Sequence, residues 1–223
     1  MRLLVAIFCF CASVAVRAAS CFAPDDSCEV NIRTVTDFRR LSESRFDKAV
    51  DVFWDDVVFD RRLCSYCADI AMEQYLSMKD VRGYYQFLKK LTVYLPDNVD
   101  FLHKYGDLTL RMDMFEDAYK TYMHIYEISP DDFTANSFLG NYYYNEGSRR
   151  LKELDEAYAD ARKHTKMEES FYLEKKKKIV RDFFYSAYRH FKAVDGQLPS
   201  LLITSKMEKI KEILSSAGMP EVR

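Results

Sequence analysis

Cysteine and histidine are the side chains whose types and spacing could carry chemistry, and the clearest candidate is Cys64-Ser65-Tyr66-Cys67. Two thiols three residues apart at a helix start can act as a redox dithiol, because the helix N-terminus stabilises a thiolate. They can equally be a buried or locally bridged structural pair. The surroundings favour the structural reading, since no convincing strand precedes the motif and no strand-helix-strand unit contains it. As a metal site, one Cys-x-x-Cys without a second pair is half a zinc centre. His103, His124, His164 and His190 are scattered and lack the His-Glu-x-x-His spacing of a metalloprotease helix. There is no Gly-x-Ser-x-Gly elbow and no phosphate-binding glycine loop. Neither catalysis nor a metal or cofactor is therefore expected.

The N-terminus carries a different kind of signal. Arg2 precedes the apolar run Leu3 to Val16, and the small residues Ala18, Ala19 and Ser20 follow, which is the layout of a cleavable export signal over residues 1–20. At about 1.5 Å per residue the run is too short for a permanent span. Ala18-Ala19-Ser20-Cys21 is similar to a bacterial lipobox, with Ala18 where leucine is usual and Arg17 just before it. Cys21 is thus a candidate for lipidation, and simple secretion is the alternative. Both place the protein outside the cytoplasm, in the cell envelope or the periplasmic or secreted space. Export makes disulfides available to Cys21, Cys28, Cys64 and Cys67, and their pairing is open. The 31 basic and 35 acidic residues left after residue 20 give no bulk attraction to nucleic acid.

The elements that must position these residues are helices. Only six glycines and five prolines interrupt 223 residues that are 48% hydrophobic and 30% charged. Sparse breakers of this kind favour long helices and short turns. The 32 Phe and Tyr residues can fill the seams between helices. Pro96 and Pro130 stand 34 residues apart, each closing a helical pattern with small and aromatic residues in matching places. A unit of that length cannot bury its apolar faces alone and stacks on its neighbours.

Between the prolines, Leu102, Tyr105, Gly106 and Thr109 lie on one helix and Ala118, Tyr122 and Ile125 on the next. This pattern resembles the tetratricopeptide-repeat family at the glycine, the alanine, the second-helix aromatic and the proline. Gly106 and Ala118 let two helices approach closely, and Tyr122 fills the gap beside them. Pro130 ends the helix, and Ser129-Pro130-Asp131-Asp132 supplies a turn and a cap. A weaker repeat precedes it, with Met72 and Tyr84 at the small positions and helices at about 66–78 and 81–93. Leu139-Gly140-x-x-Tyr143 opens a third unit whose closing half, Ala187, Phe191, Val194 and Pro199, arrives 35 residues late.

Those extra residues divide at Thr165-x-x-Glu168, a capping-box signature, so both helices of the third unit are expected to lengthen into a projecting hairpin. Reflecting the chain about Thr165 puts Glu153 level with Lys177 and Asp155 level with Lys175, so acids across the hairpin can offset part of the Lys175–Lys178 run. The expected architecture is all-α: an α-solenoid of repeats at about 65–98, 99–132 and 133–199 within a domain spanning 46–223. An N-terminal tail covers 21–45, a capping element follows at 46–60, and a capping helix covers 200–216.

In the family the first helix of each repeat lines a concave groove, so the resemblance implies a surface for an extended peptide or partner helix. Projection of the helix faces nominates Asp69, Glu73, His103, Asp107, Arg111, Asn141, Tyr144 and Asn145. Some members hold acidic tails with Lys and Asn at set groove positions. Asp69 and Glu73 stand at those positions here, so that specialisation does not carry over. The expected function is a non-catalytic adaptor for a protein or peptide partner. The alternatives are a structural part of a larger assembly held through the hairpin and, less favoured, a Cys64/Cys67 thiol oxidoreductase.

Overall fold

A computed structural model describes residues 32–60, 62–159 and 165–220. The expected signal segment, Cys21 and Cys28, and the turn expected near His164 lie outside the described residues. Among those described, all regular structure is helical. The helices are α1 (Val35–Ser44), α2 (Phe46–Asp55), α3 (Cys64–Ser77), α4 (Val81–Tyr94), α5 (Val99–Arg111), α6 (Phe115–Ile128), α7 (Phe133–Ala159), α8 (Lys166–Ile179), α9 (Tyr185–Gln197) and α10 (Leu201–Ser216). A 3-10 turn at Val57–Phe59 follows α2, and a π-helical turn at Val180–Phe184 joins α8 to α9. The fold separates into two compact units, residues up to 87 and residues from 88.

In the first unit, the expected tail is helical from residue 35. Thr34 Oγ1 accepts the Asp37 N–H at 3.2 Å, and the Asp37 carboxylate accepts the Thr34 N–H at 3.2 Å. This is a capping box with aspartate in the place where a Glu/Gln search looks, so the signal is easy to pass over. Helices α1 and α2 are joined through Arg45 alone and both pack on α3. Phe38 and Phe53 are fully buried, their rings 6.2 Å apart edge to face. Phe53 and Trp54 both meet Phe87, and Phe46 sits edge-on to Tyr75 at 4.7 Å. The expected capping element is therefore half of a helix pair.

Between α3 and α4 the chain turns at Lys79, whose φ is +58°, and Asp80 accepts the Gly83 N–H at 2.8 Å to start the next helix. Between α5 and α6, 34 residues on, Asp113 has the same φ of +58°. A left-handed residue at the same place in both repeats is the backbone counterpart of the sequence period. Such a conformation costs a side-chain-bearing residue roughly 1–2 kcal/mol, while glycine adopts it freely at some entropic cost in the unfolded chain. Lys79→Gly should therefore raise the stability of the first unit by about 0.5–1 kcal/mol. Lys79→Val should lower it by a similar amount. Urea unfolding of the two variants checks both signs.

The second unit begins with α5, capped by Asn98, which accepts the Phe101 N–H at 3.1 Å. Helices α5 and α6 close on each other where a Cβ at Gly106 would come within 3.0 Å of the Tyr122 ring. Leu102, Ala118, Tyr122, Ile125, Ala135 and Leu139 form one buried cluster under 6% exposed throughout. Asp132 caps α7 through the Ala135 N–H at 2.7 Å, as the turn sequence implies.

Helix α7 is 27 residues long, about 40 Å at the α-helical rise. It pairs with the rod formed by α8, the π-helical turn and α9. A Cβ at Gly140 would lie 2.7 Å from Phe191, and one at Gly147 would lie 2.8 Å from Phe184 and 2.9 Å from Phe183 Cβ. The late-arriving residues Ala187 and Phe191 thus complete the third unit, both fully buried. Thr165 and Glu168 form the expected capping box, with the Glu168 carboxylate accepting the Thr165 N–H at 2.8 Å.

Tyr158 and Tyr172, equidistant from Thr165 in sequence, stack at 4.2 Å. The reflected register therefore holds, while the expected charge pairing does not. Asp155 accepts the Tyr172 hydroxyl at 2.7 Å, and Glu153 pairs along its own helix with Arg149. Lys175 lies over Phe171 at 4.3 Å and Lys176 over Tyr172. Among the described residues no ion pair crosses between Lys175–Lys178 and α7. The carboxylate is thus taken by a phenol one turn nearer the tip than the lysine drawn level with it. This hydrogen bond, with burial, pushes the Tyr172 hydroxyl up to about 12.

Helix α10 covers the end of the unit with Ile203, Ile210 and Leu214 buried. It stops at Gly218, with φ +64° and the Met219 N–H returning to Leu214 O at 3.0 Å. That is the glycine termination expected of a capping helix.

Candidate docking surface

Helix α5 places His103, Asp107 and Arg111 four residues apart, so all three project from one face. They are not equally free to meet a partner. His103 Nε2 lies 2.9 Å from the Asp132 carboxylate, tying the row to the α6–α7 turn. Asp107 accepts the Tyr122 hydroxyl at 2.6 Å, yet its side chain is otherwise exposed, as is that of Arg111. Burial, with the Asp107 carboxylate second, holds the Tyr122 phenol well above its usual value. Tyr122 therefore stays protonated and orients the Asp107 side chain through this hydrogen bond.

The Tyr122 ring stacks on Phe138 at 4.5 Å, one turn ahead of Asn141 on α7. The α5 row and the α7 row are thus neighbours across this aromatic pair. On α7, Asn145 is exposed, whereas Asn141 and Tyr144 are half-buried. Asn141 donates to Ser137 O at 2.7 Å and accepts from Lys206 Nζ. Tyr144 packs against Phe184 and Phe191, with Lys206 over its ring at 5.6 Å. Burial lowers the Lys206 ammonium below its usual value. Sequence reading missed Lys206, because it lies 65 residues from Asn141 and on a helix assigned only to capping.

Asp69 and Glu73 belong to the first unit and lie on α3. Glu73 is exposed, with Arg39 of α1 3.7 Å away, and Asp69 is half-buried. The same helix carries the two cysteines. Cys64 and Cys67 are free thiols, 4% and 0% exposed, turned into the core and not onto the surface. Burial comes first among the causes that push Cys67 up to about 12, followed by Cys64 and Asp60. Burial and Asp60 also raise Cys64. Asp60 accepts the N–H groups of Arg62 and Leu63 at 2.8 and 3.3 Å, so a carboxylate stands where a thiolate would need the helix terminus to itself. Cys64 and Cys67 are thus separate, buried thiols whose surroundings favour the protonated form.

Among the described residues no group of three or more His, Cys, Asp or Glu side chains could hold a metal ion. Two of the histidines bind backbone or amide oxygen instead. His124 Nε2 lies 3.1 Å from Pro96 O, and His190 Nδ1 donates to Asn136 Oδ1 at 2.8 Å. Among the described residues no helix is long and apolar enough to cross a membrane.

No protein-family model matches the sequence, and no curated protein matches it. Among solved structures, a proposed protein binding protein from Bacteroides ovatus ATCC 8483 superposes with a TM-score of 0.66 at 26% identity, over 82% of this chain and 89% of that one. A second, named MamA MSR-1 C2, aligns over 82% of this chain and 95% of its own at 16% identity, with a TM-score of 0.32 that is too low to argue from. With the paired helices, the left-handed turns one repeat apart and the glycine-aromatic contacts, the fold is a tetratricopeptide-like α-solenoid whose third unit is drawn out into a helical hairpin.

Proposed function

We propose that this chain is a non-catalytic protein-interaction scaffold of the cell envelope or secreted space. It docks an extended peptide or a partner helix along the first-helix faces of its repeats. The observation that carries this reading is the 0.66 TM-score likeness, over most of both chains, to a protein described as protein binding. The α5 row supports it, because Asp107 and Arg111 are charged, exposed and held on a rigid helix rather than a loop. Asn145 on α7 extends the same surface, and Asp69 and Glu73 offer a comparable one on the first unit. The N-terminal sequence supports export, with a lipid on Cys21 as the means of retention at a membrane.

A second reading, a structural part of a larger assembly held through the hairpin, is favoured by the apolar side chains that α8 leaves in solvent. Met167 is 83% exposed and Phe171 58%. One crosslinking experiment separates the two. With the partner identified by mass spectrometry, the charge reversals Asp107→Lys and Arg111→Glu should reduce its recovery about tenfold, as expected for the loss of one or two well-placed polar contacts. Deletion of residues 149–180 should leave recovery intact. Unchanged recovery in the reversals, with loss in the deletion, overturns the groove in favour of the hairpin.

A further inference from the structure

The turn between α5 and α6 opens onto a pocket that neither docking reading uses. It has a volume of about 720 Å³ and is lined by Asp113, Phe115, Glu116, Asp117 and Tyr119 from the turn and α6, and by Tyr142 from α7. Its walls are aromatic. Tyr119 and Tyr142 lie 4.4 Å apart at an interplanar angle of 31°, and Phe115 is 60% exposed, which is unusual for a ring with a core available beside it. The rings are held from behind. The Tyr119 hydroxyl meets the Tyr143 hydroxyl at 3.0 Å, and Tyr142 packs edge-on against Tyr143.

The rim is acidic. Glu116 is partly offset by Lys120 at 3.0 Å, an exposed pair. The α6 N-terminus adds about half a positive charge, so Asp113, Glu116 and Asp117 together leave roughly one and a half negative charges around the rings. Two other charges approach from α7. Glu146 and Arg150 stand near Tyr142, but they bind each other, and Arg150 lies over Phe183. They therefore add little net field at the pocket mouth.

We propose that this pocket receives the guanidinium of an arginine side chain from a partner protein, stacked on the aromatic wall and hydrogen-bonded to the rim carboxylates. Arginine fits better than lysine because its planar head both stacks on rings and forks to carboxylates, while its stem covers apolar surface such as Phe115. A membrane surface or an anionic ligand would meet like charge here. The proposal shares with the docking reading the idea of a protein partner but does not depend on the α5 row.

The test is an amide NMR titration of the 15N-labelled protein with N-acetyl-arginine amide, with its uncharged isostere N-acetyl-citrulline amide in parallel. Arginine should shift the amides of residues 113–119 and 142 and saturate at about millimolar concentration, while citrulline should not. The double variant Glu116→Gln/Asp117→Asn should weaken the arginine response about fivefold, the scale of losing two exposed carboxylate partners while the aromatic wall remains. Asp107→Lys should leave it unchanged. Equal shifts with citrulline, or no shift at saturating arginine, overturn the pocket. Arginine shifts together with partner recovery insensitive to Asp107 and Arg111 would keep the pocket and discard the groove.

Discussion

Phe191→Ala is expected to cost the second unit about 3–5 kcal/mol, the range for truncating a fully buried phenylalanine. Phe191 is 0% exposed and lies against Gly140, where even a Cβ would stand 2.7 Å from the ring. The two residues are one fitted contact between α7 and α9. Loss of the ring leaves a cavity bounded by Val194, Ala187 and the α10 side chains of the same cluster, none of which is free to collapse without moving its helix. The reciprocal change should also destabilise, by less. Gly140→Leu must displace the ring or push the helices apart, a cost of about 1–3 kcal/mol or more that exceeds the roughly 1 kcal/mol gained from better helix propensity. The pair Gly140→Ala with Phe191→Leu should be less destabilised than the two single changes summed, because the smaller side chain makes room for the methyl. Strictly additive urea-unfolding free energies, or a Phe191→Ala loss below about 1 kcal/mol, would show that this contact does not set the helix spacing.

The second large effect is a loss of stability in mild acid. His190 is 1% exposed, and burial, with Arg189 second, lowers it to about 4. Its neutral ring is used twice. Nδ1 donates to Asn136 Oδ1 at 2.8 Å, and the Asn136 amide donates to Pro130 O and Asp132 O at 2.7 and 2.8 Å. The ring face also stacks on Tyr143 at 5.7 Å. The folded value lies below the ordinary histidine value of about 6.5, so the unfolded chain binds the proton more readily. Stability is therefore full above about pH 6.5 and falls as pH drops toward about 4, by on the order of 3 kcal/mol, and this group adds no further slope below that.

Glu146 is shifted in the same direction but titrates in a separate, more acidic window. Hydrogen bonds from Arg149 and Arg150 lower it to about 2, so its contribution is present above about 4.5 and lost only below. That contribution is small, because both guanidinium groups are about half exposed. Glu146 thus adds no slope between pH 6.5 and 4.5, the window in which His190 contributes. His190→Gln keeps a donor for Asn136 and should flatten that slope while lowering stability at neutral pH. Equal urea midpoints for the unaltered protein at pH 7 and pH 4.5 would sink the assignment.

The repeats are legible in the chain because they rest on short-range regularities. Pro96 and Pro130, Gly106 and Gly140, and Ala118 and Ala187 each mark a local event, a stop or a close approach, that a linear pattern records. Even the doubled length of the third unit could be read, since the capping box at Thr165 announces a helix start. Other features have no such local mark. His190 and Asn136 are 54 residues apart, and neither residue type alone says that the two meet in a core. Lys206 reaches Asn141 from the capping helix α10. Across the hairpin, register follows from length, but pairing follows from side-chain reach. Asp155 therefore meets Tyr172 and not the lysine drawn level with it. For the cysteines, a helix start permits an activated thiol, but burial and Asp60 favour the protonated form.

Lys79, Asp113 and Gly147 occupy successive 34-residue positions. The first two bend the backbone back on itself, while the third continues straight through α7 and accepts Phe183 and Phe184 against its bare Cα. The long arms are thus spliced in at the point where an ordinary unit would reverse direction, as a cassette of 35 residues whose two limbs lengthen equally. Because outgoing and returning limbs match, everything downstream keeps its phase. An engineer could swap the part of that cassette beyond Leu151 and Ile179 for a shorter bend, or for a foreign arm of balanced limbs, and keep the buried Val180 that the remaining helices nest against.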